Sequence, residues 1–354
     1  MISKLEMRGR TDHNCHMKTS IRFAVMLMAI VMASVGNGVA QQIELYPINQ
    51  DGKTGLADRT GKIVIAPQFD AVKLDENFGF LSEGLGRVEI GGKCIYIDAA
   101  GKQVVKEQFD SCFSFRDGLA SVEVDEKWFF IDKTGQSPFE VEIDGPKFFS
   151  DGLLAVKEDG KFGYIDTAGK FVIAPQFDSA EPFSEGLAAA ENDEGVGYID
   201  RSGEFVIGPR FFSADPFSEG LARVEPQPGG KSGFIDRSGK MVIAASFDMA
   251  FRFSDGLAMV RLGTKGGFID KAGKMVIPPR FDAREFGFTE VFFRDGLALV
   301  QMDGKFGFID KTGKLVIPAK YAGGDHFRGG IGMLLAENSA IFVDRTGKVI
   351  WEIK

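Results

Sequence analysis

Histidine is the side chain whose ordinary pKa lets it move protons near neutrality, and this chain holds three, His13, His16 and His326. The first two fall in an N-terminal stretch with the marks of a leader. His326 remains, in A-G-G-D-H-F, a setting that reads as a solvated loop rather than as a base or a ligand. No H-E-x-x-H, Cys-x-x-Cys, G-x-S-x-G or glycine-rich phosphate loop is present. Carboxylates are abundant, but the conspicuous ones recur at a fixed period. A catalytic dyad would break such a period rather than follow it. The expectation is no catalytic residue, no cofactor and no metal site.

The periodic carboxylates are Asp58, Asp98, Asp132, Asp166, Asp200, Asp236, Asp270, Asp310 and Asp344, separated by 40, 34, 34, 34, 36, 34, 40 and 34 residues. Most are followed by Lys or Arg, as in D-K-T-G-K and D-R-S-G-K. A Ca²⁺ ladder is disfavoured there, because each Asp stands alone in its copy and most have a Lys or Arg beside them. Turn capping is the expected role: the carboxylate accepts local N–H bonds and Gly takes the left-handed position. Of the three cysteines, Cys15 lies in the leader, leaving Cys94 and Cys112. Two small buried residues and a disulfide both remain open for this pair.

Three aromatic positions keep register with the Asp. One lies two residues before it, as in Tyr164 and Phe234, and one eleven residues after it, as in Phe177 and Phe211. The third precedes a Gly-Leu-type turn, as in Phe183 and Phe217, with Leu81 as the exception. With Phe162 and Phe306, these positions account for 20 of the 34 Phe, so the Phe bias belongs to the repeat and these rings are core candidates. Residues 297–302 alternate like a strand, Asp303-Gly304 is a type I′ hairpin signal, and residues 305–309 form the return strand. A third strand, 314–317, stops at Pro318. The reading is three short strands per copy, with room for a fourth scrap near the F-D position.

The unit F-R-D-G-L-A-L-V-Q-M-D-G-K-F-G-F-I-D-K-T-G-K-L-V-I-P resembles the bacterial WG-repeat family, over about residues 51–354. The naming Trp is mostly replaced: by Phe162 and Phe306, and by Cys94, Val196, Ser232 and Gly266 elsewhere. Trp128 keeps the ring, but Phe129 replaces the Gly. The resemblance implies architecture and little mechanism. The fold class is all-β, a tandem array of short antiparallel meanders. A unit this short, in this many copies, favours an open, superhelical, solenoid-like array, with a closed or nearly closed propeller-like ring as the alternative.

Residues 1–40 read as a leader with a signal peptide whose start is Met17: Lys18 and Arg22, an apolar run from Phe23, and small residues at Gly38 and Ala40 before a cut. The run is too short and Gly-punctuated for a membrane span. Residues 41–50 form a short segment ahead of the repeats at 51–354. An exported, periplasmic or secreted protein is expected. The net charge of −8 argues against nucleic acid as a partner. Two copies carry six extra residues in the same connector, between Phe69 and Leu81 and between Phe281 and Phe293. Both insertions contain F-G-F, which makes Phe78, Phe80, Phe286 and Phe288 the candidate partner-binding residues. The expected function is a non-catalytic scaffold or adaptor that binds a protein or a cell-envelope polymer. An enzyme or inhibitor using the inserted loops, and a passive spacer, are the competing readings.

Overall fold

Each copy makes one small antiparallel sheet with the hairpins expected of it, but the strand expected at 314–317 does not stop at Pro318: it runs through it, Leu315–Tyr321, because an outer edge strand tolerates a missing donor. The structure, a computed structural model, describes residues 45–353 except 59, 74–79, 142, 144, 146, 284–290 and 338. The leader, its Met17 start and its cut site lie outside the described residues. Nine sheets follow one another along the chain, and we number them as blades 1 to 9. Blade 5 is typical: Ser179–Ala180, Ala188–Asn192, Gly195–Ile199 and Phe205–Phe211, each paired with the next. The scrap of strand after F-D is thus real, two residues long, and makes a four-stranded blade from about 34 residues. Residues 46–50, placed ahead of the repeats by sequence, are a strand of blade 1.

The open array is corrected to a nine-bladed propeller ring. The first blade meets the last: the Tyr46 ring lies 5.3 Å from Trp351 and 6.5 Å from Phe342, and the Tyr46 hydroxyl donates to the Arg328 carbonyl at 3.3 Å. Tyr46 is 7 % exposed and Phe342 5 %. An open array would leave both terminal faces wet, and burying each large apolar side chain is worth about 1.5–3 kcal/mol. The length argument failed because the fourth strand is so short that the copy reads as three-stranded.

The core lies between blades. Phe183 touches Tyr164 of the preceding blade with ring centroids 4.8 Å apart, and Phe217 meets Tyr198 in the same way. All four are at most 1 % exposed. Hairpins such as Asp303-Gly304 have positive φ at both residues, 49° and 75°, as type I′ requires.

The outer strand explains the repeated Gly of the third strand. In blade 5, Val196 pairs with Phe211 and Tyr198 with Ile207, so two residues of one strand face four of the other. This bulge presses the outer backbone onto Gly197, where a Cβ would lie 2.5 Å from the Ile207 carbonyl oxygen and 2.8 Å from the Pro209 nitrogen. Gly163, Gly233, Gly267 and Gly307 stand under equivalent bulges. Blades 2 and 3 carry Ile95 and Phe129 there, and their outer strands shrink to the isolated bridges Cys94–Phe109, Ile97–Gln103 and Trp128–Ile143. Blade 9 has Ile341 and keeps its outer strand in a straighter register, Ile341 opposite Glu352 and Phe342 opposite Trp351. Prolines 175, 209 and 318 lie on these outer edge strands, removing donors that could recruit another chain.

Candidate interaction surface at the inner rim

The repeated carboxylates are engaged in folding, and their partners show how. Asp200 Oδ1 accepts from the Ser202 amide at 2.8 Å, the Ser202 hydroxyl at 2.5 Å and the Glu204 amide at 3.3 Å. These bonds to the charged form hold the Asp200 carboxyl below its ordinary range, led by the Ser202 hydroxyl. Asp58, Asp132, Asp236, Asp310 and Asp344 are lowered in the same way. A second series, the F-D Asp, ties blade to blade. Asp178 pairs with Lys161 at 2.5 Å, and Asp70 pairs with Lys53 while accepting from the Gly91 amide at 2.6 Å.

A third series was not foreseen. The acid in each first turn sits at φ between 50° and 55° and accepts the turn Gly amide of the next blade. It runs through Glu83–Gly118, Asp117–Gly152, Asp151–Gly186, Glu185–Gly220, Glu219–Gly256, Asp255–Gly296 and Asp295–Gly330, at 2.8–3.2 Å. The neighbouring Ser adds a parallel bond, as in Ser184 Oγ to the Phe217 carbonyl at 2.8 Å. Consecutive first turns therefore lie within hydrogen-bond reach of one another, which marks the small radius of the ring. Outer-strand residues such as Val172 and Val206 stand half-exposed, which marks the large one. At blade 9 the acid is replaced by Gly329, and Tyr46 supplies the closing bond to Arg328 instead.

Against this uniform frame, the segment that leads into the first turn differs from blade to blade. In blades 5 and 6 the residues two before the core Phe are Glu181 and Asp215. Arg223 clamps Asp215 through Nε–Oδ2 at 2.6 Å and Nη2–Oδ1 at 2.5 Å. Burial, with the Asp215 charge beside it, pushes the Glu181 carboxyl up. In blades 7 to 9 the residues one before the core Phe are Arg252, Phe292 and His326. The Arg252 guanidinium lies 5.5 Å over the Phe292 ring, which stacks on His326 at 3.9 Å and 18°. Asp325 beside them is raised to about 6 by burial, against the His326 amide bond and the Arg294 charge. In blades 3 and 4, Arg116 lies 4.1 Å over Phe148, which is 38 % exposed. Arg, aromatic rings and an acidic neighbour on one rim can hold a partner by stacking and charge-assisted hydrogen bonds. His326, read as a solvated loop residue, belongs to a strand and a ring stack.

The four Phe singled out by the insertions fare differently. Phe80 is 4 % exposed in the cluster between blades 1 and 2, its ring over Gly86, and fills the core beside Leu81. Phe78, Phe286 and Phe288 lie outside the described residues. The insertions belong to blades 2 and 8, and ring closure puts only blades 9 and 1 between them. The inner-rim residues had a signal that sequence reading passed over: after the core Phe comes Ser in four copies (and Ser82 after Leu81), but Arg116, Arg294 and Arg328 in three. Cys94 and Cys112 are joined in a disulfide, Cα atoms 5.9 Å apart. Among the described residues there is no group of three metal-capable side chains, and no helix long and apolar enough to cross a membrane.

Comparison with known proteins bears on fold and family. The crystal structure of a eukaryotic initiation factor superposes with a TM-score of 0.62 at 11 % identity, covering 88 % of this chain and 96 % of that one, a likeness of fold alone. The computationally designed Ika8 protein (TM-score 0.45, 13 % identity, 87 % and 98 % covered) and Kluyveromyces lactis Hsv2p (0.42, 10 %, 68 % and 92 %) are more distant. No curated protein matches the sequence. The family model described as WG containing repeat matches eight times, at residues 55–94, 96–128, 128–162, 162–195, 197–225, 233–265, 267–306 and 306–334. With its glycine bulges, turn acids and interblade rings repeated around the ring, the chain belongs to the WG-containing repeat family.

Proposed function

We propose that this protein is an exported, non-catalytic scaffold that binds a protein partner at the inner rim of its propeller. The observation that carries this reading is the contrast just described. Three series of carboxylates serve the fold in nearly every blade, whereas the residues that lead into the first turn vary from blade to blade. Residues that hold a repeat together are free to be alike, and a surface that recognises one partner must be asymmetric. Arg and aromatic side chains, the types at Arg116, Phe148, Arg252 and Phe292, are those most enriched at interface centres. Phe78, Phe286 and Phe288 belong to the same proposal as insertions in blades on either side of the closure. Export rests on the leader at residues 1–40.

The test is a cross-linking pull-down from the protein's own envelope fraction, run in parallel with two variants. A partner retained by the wild type and lost by Arg252→Ala/Phe292→Ala, but kept by the outer-strand variant Val172→Ser/Val206→Ser, supports the inner rim. Equal recovery by all three removes it, and recovery of nothing by the wild type favours a passive spacer.

A further inference from the structure

The disulfide joins the two blades whose outer pairing is reduced to isolated bridges. Cys94 is on the third strand of blade 2, at the position of the family Trp, and Cys112 is on the inner strand of blade 3. The corresponding residues between blades 5 and 6 are Val196 and Ala214, and between blades 6 and 7 Ser232 and Ala250. Those blades have a bulged outer strand over a glycine, and blades 2 and 3 do not. Ile95 and Phe129 occupy the glycine positions, and only isolated bridges remain of the outer ladder. Both cysteines are buried, in one cluster with Tyr96, Phe109 and Phe115. Their Cα separation of 5.9 Å falls in the usual 4.4–6.8 Å range of disulfides.

We propose that the Cys94–Cys112 bond is a clasp that replaces the missing outer strands, and that it makes blades 2 and 3 the redox-sensitive joint of the ring. A covalent link across a blade interface limits how far the two sheets can separate, a task that outer-strand residues such as Ile173 and Ile207 share in blades 4 and 5 by packing into the core with the next blade. Reduction needs a dithiol. One of its thiolates attacks a cystine sulfur and forms a mixed disulfide, releasing the other cysteine as thiolate. The second thiol then displaces the remaining cysteine, leaving two protein thiols and an oxidised, cyclic reductant. Because both sulfurs are buried, attack waits for local opening of these blades. The proposal is independent of what the inner rim binds.

The experiment compares hydrogen exchange, followed by mass spectrometry, for the full mature chain with and without dithiothreitol, and for Cys94→Val/Cys112→Ala. That variant installs the pair found between blades 5 and 6. Exchange in residues 93–132 should rise by roughly tenfold or more while blades 5 to 7 stay protected, and the melting temperature should fall by about 5 °C. Unchanged exchange, or protection lost evenly around the ring, overturns the proposal. If the double variant does not fold, the reduced wild type decides between the same outcomes.

Discussion

Blades 4 to 8 and blades 2 to 3 are built from the same repeat, yet they hold their outer edges by different means. In the first group a glycine lets the outer strand bulge inward and complete a ladder. In the second a larger residue blocks that approach, the ladder collapses to bridges, and a disulfide crosses to the next blade. Residues 95 and 129 carry a Cβ where the first group has Gly, and blade 9, with Ile341 there, keeps its ladder in a straighter register without that bulge. The lesson is that the family's Gly is a steric requirement of the bulged outer strand. The Trp before it is replaceable by whatever fills the space, as where the Met259 side chain lies against Gly266.

That comparison can be broken from either side. Phe217→Ala, which removes a ring 1 % exposed at the core between blades 5 and 6, should cost about 3–5 kcal/mol in denaturant unfolding. Phe113→Ala, at the partly exposed inner rim of blade 3, should cost far less. Gly197→Ala should come next, at about 1–3 kcal/mol, because backbone and not a flexible side chain meets the new Cβ. Exchange protection should then fall in residues 205–211 of blade 5, making that edge resemble blade 3. If Gly197→Ala is neutral, the steric account of the two groups fails.

Asp325 sharpens the contrast between the inner rim and the turns. Its folded pKa is raised to about 6, so folding favours its protonated form. Stability should therefore fall as pH rises from the ordinary Asp pKa through 6. Asp325→Asn should remove that slope and stabilise the protein at neutral pH by about 1–2 kcal/mol. The turn Asp residues have the opposite sign. Their folded pKa values are lowered, so their contribution is present above the ordinary value and lost as pH falls below it. Asp200→Asn should be the smallest effect: a slight loss of stability at neutral pH, where the charged form is favoured, and a flatter acid limb of the stability–pH curve below pH 4.

Much of this was legible in the sequence. The period, the turn Asp and Gly, the type I′ hairpins and the rings of the core depend on contacts within a copy or at equivalent positions in the next one. Alternation and turn chemistry report on such contacts directly. Blade 5 could be drawn from its residues, apart from an inner strand too short to carry an alternating pattern. The inner rim was less legible because its stack joins Arg252, Phe292 and His326, which become neighbours only after three blades pack. Phe80 misled because a ring in an insertion was read as exposed, when a register position lacking an aromatic left core space for it.

By itself, then, the sequence determined a nine-fold repeat of small antiparallel sheets and the chemistry of the Asp-capped turns and type I′ hairpins, because local sterics and hydrogen bonding dictate both. Closure was decided by tertiary structure, since it rests on Tyr46 meeting Phe342 and Trp351 from the other end of the repeats. The pairing of Cys94 with Cys112 was decided there too, because only packing of blade 2 on blade 3 sets their separation. So was the role of the turn acids, whose partner amides belong to the next blade. In each case the deciding distance lies between copies, and a repeat sequence states what the copies share before it states how they meet.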